Sequence, residues 1–281
     1  LFINLNENLK RGNFPMQTKE NVVFRQIREQ ALAANQVSTL ETATKKGVAT
    51  KTMILLLTVF VSGILHFSLT SLIAAGNQSV KASLLYSSIG VASLLGFVSM
   101  MVSIFAGQMN QKPFAIMYAV SEGILISGVF GLISALTGAY SEIVLILAIS
   151  VVGTLVVFLI MHFLYYQGIL KVNNKFRMSV LVSSIVIFAF VMINMLVSII
   201  SGKNYLSGYW PQLAISGVLL VLGSAFLAMD FDNVEQIMKF DISKKYEWSL
   251  AFAFLTTLIL IFEQIARILI LTMLEKENNT R

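Results

Sequence analysis

The sequence predicts an all-α integral membrane protein, a bundle of seven transmembrane helices. Three observations carry that expectation. Of the 281 residues, 57% are hydrophobic and 12% charged, against roughly 25% charged in a soluble domain, and the mean hydropathy is +0.80. Seven apolar runs each exceed the ~20 helical residues needed to cross a ~30 Å hydrocarbon core. Strand-type alternation, which a transmembrane β-barrel would show, is absent.

The elements follow in order along the chain. Residues 1–51 form a polar N-terminal segment, 52–274 the transmembrane domain and 275–281 a short polar tail. The spans fall at about 52–76, 82–107, 113–138, 143–167, 178–201, 211–231 and 248–274, and the first, second and fifth carry no charged residue. The first is too long for a signal-peptide core and begins after the polar segment, so no cleaved targeting sequence is expected. Within 1–51, Val23, Ile27 and Leu32 recur at helical spacing with basic residues between them, and Ser38 with Glu41 has the spacing of a capping box. Two readings stand for this segment: an amphipathic helix on an anionic leaflet, or a polar tail whose Lys and Arg enforce topology. Ser127, Gly131 and Ala135 repeat every four residues in the third span, as do Ser134 and Gly138. Such small residues let helix backbones approach closely. Gly90, Gly96, Gly153, Gly217 and Gly223 are placed to serve similarly, and intramolecular packing is the expected use.

Charge placement sets the orientation. If the N-terminus lies inside, fifteen Lys and Arg fall on inner segments and four on outer ones. This positive-inside bias puts the N-terminus in the cytoplasm and the C-terminus outside. The formal charge of +6 therefore reports topology and not a nucleic-acid face, since the basic residues sit between apolar runs. There are no cysteines, which excludes disulfides and thiolate metal sites. The two histidines, His66 and His162, are too few for a His-rich metal centre, and no cofactor is expected.

Ionisable residues inside spans are costly and are therefore the functional candidates. They are His66, Glu122, His162, Asp230, Asp232, Glu263 and Arg267. At 1.5 Å per residue, Glu122 lies ~14 Å from the inner end, and His66 and Glu263 lie ~21–23 Å from it. An inner layer of Asp230, Asp232 and Glu122, with His162 near it, is expected. An outer layer of His66, Asn194, Glu263, Gln264 and Arg267 is expected above it. Asp230 and Asp232 are turned ~200° apart on a helix, so one should face the core and the other the wet interface, where Asp232 and Glu235 would form an ordinary solvated helix end. Glu263 and Arg267 have the i,i+4 spacing of an intrahelical ion pair, and Arg267 is also able to snorkel outward.

Three stretches, "QKPFAIMYAVSEGILISG" (111–128), "AFLAMDFDNVEQI" (225–237) and "KYEWSLAFAFLTTLILIFEQIARIL" (245–269), together resemble the Bax inhibitor-1/YccA family. The resemblance covers about 40–274, and the closest match is to a bacterial branch with a polar N-terminal extension. It implies six helices around a central, unusually polar last helix, placed in a bacterial inner membrane. It also implies a pH-sensitive calcium leak channel with a proton-sensing pair of aspartates on helices six and seven. The first aspartate carries over to Asp230 or Asp232. The second position falls near Leu255–Thr257, where Thr256 and Thr257 stand instead of a carboxylate.

The leading expectation is thus a passive cation path, Ca²⁺ being the permeant ion, gated by carboxylate protonation at Asp230, Asp232, Glu122 and Glu263. His66, Asn194, Thr256, Thr257 and Arg267 would be supporting polar groups. Carboxylate oxygens suit a hard cation, so Asp230 and Asp232 are the candidate Ca²⁺ ligands. The alternative is a regulatory protein that modulates a membrane-anchored protease or another membrane partner through residues 1–51. Deleting that segment separates the two, since a channel keeps its flux and a regulator loses its effect. A proton-coupled transporter would want internal repeats and broken helices, and neither is evident. No Ser–His, Asp–Asp or His–metal constellation has enzyme-like spacing, so an enzyme is not expected. Oligomeric state is left open.

Overall fold

Inside a bilayer the backbone must satisfy its own hydrogen bonds, so an apolar run of this length becomes a helix. The computed structural model describes residues 42–280 apart from 75, 106–110, 205 and 241. Seven helices cross its length: α1 (Lys45–Ala74), α2 (Gln78–Phe105), α3 (Gln111–Thr137), α4 (Tyr140–Tyr166), α5 (Asn174–Ser201), α6 (Tyr209–Met238) and α7 (Tyr246–Thr280). All seven are long and apolar enough to span a membrane. The periodic stretch at 23–32 and the capping box at 38–41 lie outside the described residues.

The helices begin earlier than the apolar runs do. Thr44 caps α1 by accepting a hydrogen bond at Oγ1 from the Gly47 amide at 2.9 Å, so α1 starts seven residues before 52. Asn173 caps α5 by accepting from the Phe176 amide at 2.8 Å, so α5 starts at 174 and not 178. Pro113 and Pro211 each sit in the first turn of a helix, where a missing amide costs nothing. Gly202, at φ +66°, ends α5 in the left-handed conformation that favours glycine.

Packing makes α7 central. It lies chiefly against α6, α1, α4 and α3, whereas α2 packs mainly on α3 and α5 on α6. Four helices rather than six therefore form its main surround, with α2 and α5 on the periphery. The continuous run Leu250–Leu255 of α7 is buried, while large apolar side chains elsewhere face outward, Ile200 at 85% exposure and Leu72 at 76%. Water would not tolerate that surface, but lipid does. Small residues set the close crossings. A Cβ on Gly123 of α3 would strike Ser62 and the Val59 carbonyl of α1, and one on Gly128 would come within 2.6 Å of Ile89 of α2. Gly153 and Gly223 approach Ile265 and Ile261 of α7, and Gly96 approaches Ser121, but Gly90 and Gly217 face open space. Of the small residues expected to pack in the third span, Gly131 would bring a Cβ within 3.2 Å of Leu85 of α2, but Gly138 lies past the end of α3 with nothing within 4 Å, and two of the five other glycines do not pack closely either.

One end of the bundle is tied by α1 and α7. Thr42 bridges Ser243, and the Ala43 amide donates to the Ile242 carbonyl at 2.7 Å. The Glu247 carboxylate accepts from the Thr44 amide at 2.8 Å and pairs with Lys51. Lys51 and Lys112 also stand over the Trp248 ring, 5.6 and 5.4 Å from its centroid.

Candidate functional site

The acidic run at the end of α6 divides between two environments. Asp230 is 1% exposed and accepts a hydrogen bond from Thr257 Oγ1 of α7 at 2.6 Å. Helix geometry places it about 12 Å from the end of α6. Asp232, turned to another face, receives Tyr165 Oη at Oδ1 (3.2 Å) and Gln236 Nε2 at Oδ2 (2.6 Å). Its Oδ2 also pairs with Arg177, a side chain that is itself only 2% exposed and that donates to Asn233 Oδ1 at 2.6 Å. Asp232 is therefore not a solvated helix end but half of a mostly buried ion pair. Glu235 shares the Tyr165 hydroxyl at 2.9 Å.

Arg177 and Glu247 escaped the sequence reading for identifiable reasons. Arg177 counts as a loop cation when the fifth span is started at 178. The Asn173 cap was the legible signal that puts Arg177 in the first turn of α5 instead. Glu247 stands between Tyr246 and Trp248 in the first turn of α7, which counts as loop when the last span is started at 248.

The expected layers regroup. Glu122 is approached by the Tyr118 hydroxyl one turn earlier on α3 and interacts electrostatically with Glu263 of α7, which joins one residue from each expected layer. The Glu263 side chain itself is exposed on α7. Arg267 acts on it through space. The ion pairs among the described residues are Lys51–Glu247 and Arg177–Asp232, so the i,i+4 pair expected at 263 and 267 is a longer-range attraction. His66 Nδ1 lies 2.9 Å from Ser127 Oγ, and no hydrogen bond among the described residues joins it to Glu263. Asn194 donates to Asn204 at 3.0 Å in the α5–α6 connection, on a helix packed mainly on α6. His162 packs among Phe158, Tyr166 and Phe231.

The two threonines also separate. Thr257 holds Asp230, whereas Thr256 Oγ1 donates to the Ala253 carbonyl of its own helix at 2.8 Å. Thr257 and Glu263 are six residues apart, about 9 Å along α7, with Arg267 about 6 Å further. Polar side chains thus recur along the central helix, each carboxylate coming from α7 or from a helix packed on it. No group of three His, Cys, Asp or Glu side chains able to hold a metal ion occurs among the described residues.

A seven-helix bundle with a polar central last helix is the frame these acids occupy, and residues 13–273 match the family described as Bax inhibitor 1 like. The chain belongs to the Bax inhibitor 1 like family. No curated protein and no solved structure matches it. For this Bax inhibitor 1 like chain, the family match extends well before α1, into the polar segment.

Proposed function

We propose that this protein is a passive, pH-responsive cation conduit, not an enzyme, with Ca²⁺ as the permeant ion. One observation carries the reading: Asp230 is a fully buried carboxylate whose direct partner is the neutral hydroxyl of Thr257. A carboxylate in such a place changes charge state more readily than one locked to a cation. Glu122 and Glu263 continue the acidic series along α7, and oxygen donors of this kind suit a hard divalent ion. The Arg177–Asp232 pair lies at the end of the series nearest the Lys-rich loops, which the positive-inside rule assigns to the cytoplasm of a bacterial cell.

Ca²⁺ flux into proteoliposomes across a pH series tests the proposal. The wild-type protein should pass Ca²⁺ at a rate that changes with pH, and Asp230→Asn, which mimics permanent protonation, should flatten that dependence. Flux no greater than in empty liposomes at every pH would refute the conduit, and an unchanged pH profile in Asp230→Asn would refute the role of that acid.

A further inference from the structure

A crevice of about 1080 Å³ runs between α1 and α4 with α3 and α7 as its floor. Phe60 and Ile64 of α1 face Val151 and Leu155 of α4 across it, over Ile259 and Phe262. Its lining extends along α1 from Lys45 to Ser68, about 35 Å at helical rise, which matches the full hydrocarbon thickness of ~30 Å. That volume exceeds the roughly 300–1,000 Å³ of ordinary small-molecule pockets. Shape and apolarity call for a long hydrocarbon occupant.

The mouth of the crevice states the headgroup. At the α1 N-terminal end it opens beside a second, polar cavity of about 420 Å³, and Lys45, Tyr165, Tyr166 and Glu235 line both. Lys46 lines the crevice and Lys171 the polar cavity. Asp232, also at this rim, is neutralised by Arg177. Glu235 accepts a hydrogen bond from the Tyr165 hydroxyl, and no ion pair among the described residues engages it, Lys45, Lys46 or Lys171. The rim therefore offers cations for a phosphate and, beside them, one carboxylate for an ammonium group.

We propose that this crevice is a binding site for a phospholipid whose headgroup carries both a phosphate and a primary ammonium. The phosphate sits at Lys45 and its neighbouring lysines, and the ammonium sits at Glu235. The acyl chains lie along the α1–α4 walls. A primary ammonium supplies three N–H donors, which Glu235 accepts. A choline headgroup has none, and a purely anionic headgroup sets like charge against Glu235.

Native mass spectrometry of the full chain tests this, with the detergent-solubilised protein given equal amounts of phosphatidylethanolamine, phosphatidylcholine and phosphatidylglycerol of identical acyl chains. The ethanolamine lipid should be retained several-fold more than the other two. Glu235→Gln should abolish that preference, and Lys45→Gln should lower retention of all three. Ala148→Trp, at an exposed position in the crevice wall, should reduce bound lipid of every kind while leaving the thermal unfolding midpoint unchanged. Equal retention of the three lipids by the wild type, or preference for phosphatidylglycerol, would overturn the headgroup assignment. Full lipid retention in a folded Ala148→Trp protein would overturn the crevice as the site.

Discussion

The buried Asp230 carboxylate accepts the Thr257 hydroxyl, and the neighbouring Thr256 spends its own hydroxyl on the α7 backbone. Substitution with valine keeps the shape of either side chain and removes only the donor. Thr257→Val should therefore destabilise the protein by about 1–3 kcal/mol, the cost of stripping a hydrogen bond from a buried acid, while Thr256→Val should change stability little. Thermal unfolding in detergent reads both. The same geometry assigns the second acid of a coupled pair: Thr257→Asp should steepen the pH dependence of flux by linking two titrations, and Thr256→Asp should not. Equal effects at the two positions would mean that the Asp230–Thr257 contact does not organise the site. Adjacent residues on a helix differ by about 100°, and the apolar pattern of α7 is too uniform to say which threonine faces α6.

At the scale of elements, α5 is attached to the bundle mainly through α6, and Arg177 is its deepest polar anchor. Arg177→Met would leave the Asp232 charge mostly buried and unpaired, a change worth about 3 kcal/mol by comparison with broken buried pairs. Arg177→Met combined with Asp232→Leu should recover much of that loss, giving a coupling that a double-mutant cycle measures directly. Simple additivity of the two single effects would show that the pair does not act as a unit. The α1–α3 crossing makes a second elemental prediction. Gly123→Ala forces a Cβ against the Val59 carbonyl, and backbone cannot swing aside, so a loss of about 1–3 kcal/mol is expected. Gly90→Ala meets nothing within 4 Å and should leave the unfolding midpoint unchanged or slightly raised, since alanine is the better helix former.

At the scale of the whole molecule, an odd number of spans places the two ends of the bundle's chain on opposite faces of the membrane. The positive-inside rule, applied to the Lys and Arg distribution, is the basis for expecting the N-terminus in the cytoplasm. A tag at residue 10 should be reached only from the cytoplasm and a tag at residue 281 only from outside, as accessibility labelling in intact cells would read. Both tags on one face would remove a span from the membrane and break the acidic series along α7. The same seven helices leave α1 and α4 parted along the crevice, so Phe254, Leu258, Ile259 and Phe262 of the central helix line an opening between them.

Much of this was legible in the chain itself. Seven apolar runs longer than the hydrocarbon core demand seven helices, because lipid offers the backbone no other partner. Their small-residue spacing pointed to close crossings, and the rarity of charge within them made His66, Glu122, His162, Asp230, Asp232, Glu263 and Arg267 the candidates. Tertiary structure alone decided which charges meet. Helix spacing relates residues on one helix, but the rotation of each helix against its neighbours depends on side-chain interlock across the crossing. That interlock turned Asp230 to Thr257, brought Arg177 in to Asp232, set Glu122 near Glu263, and left His66 with Ser127 and Asn194 with Asn204.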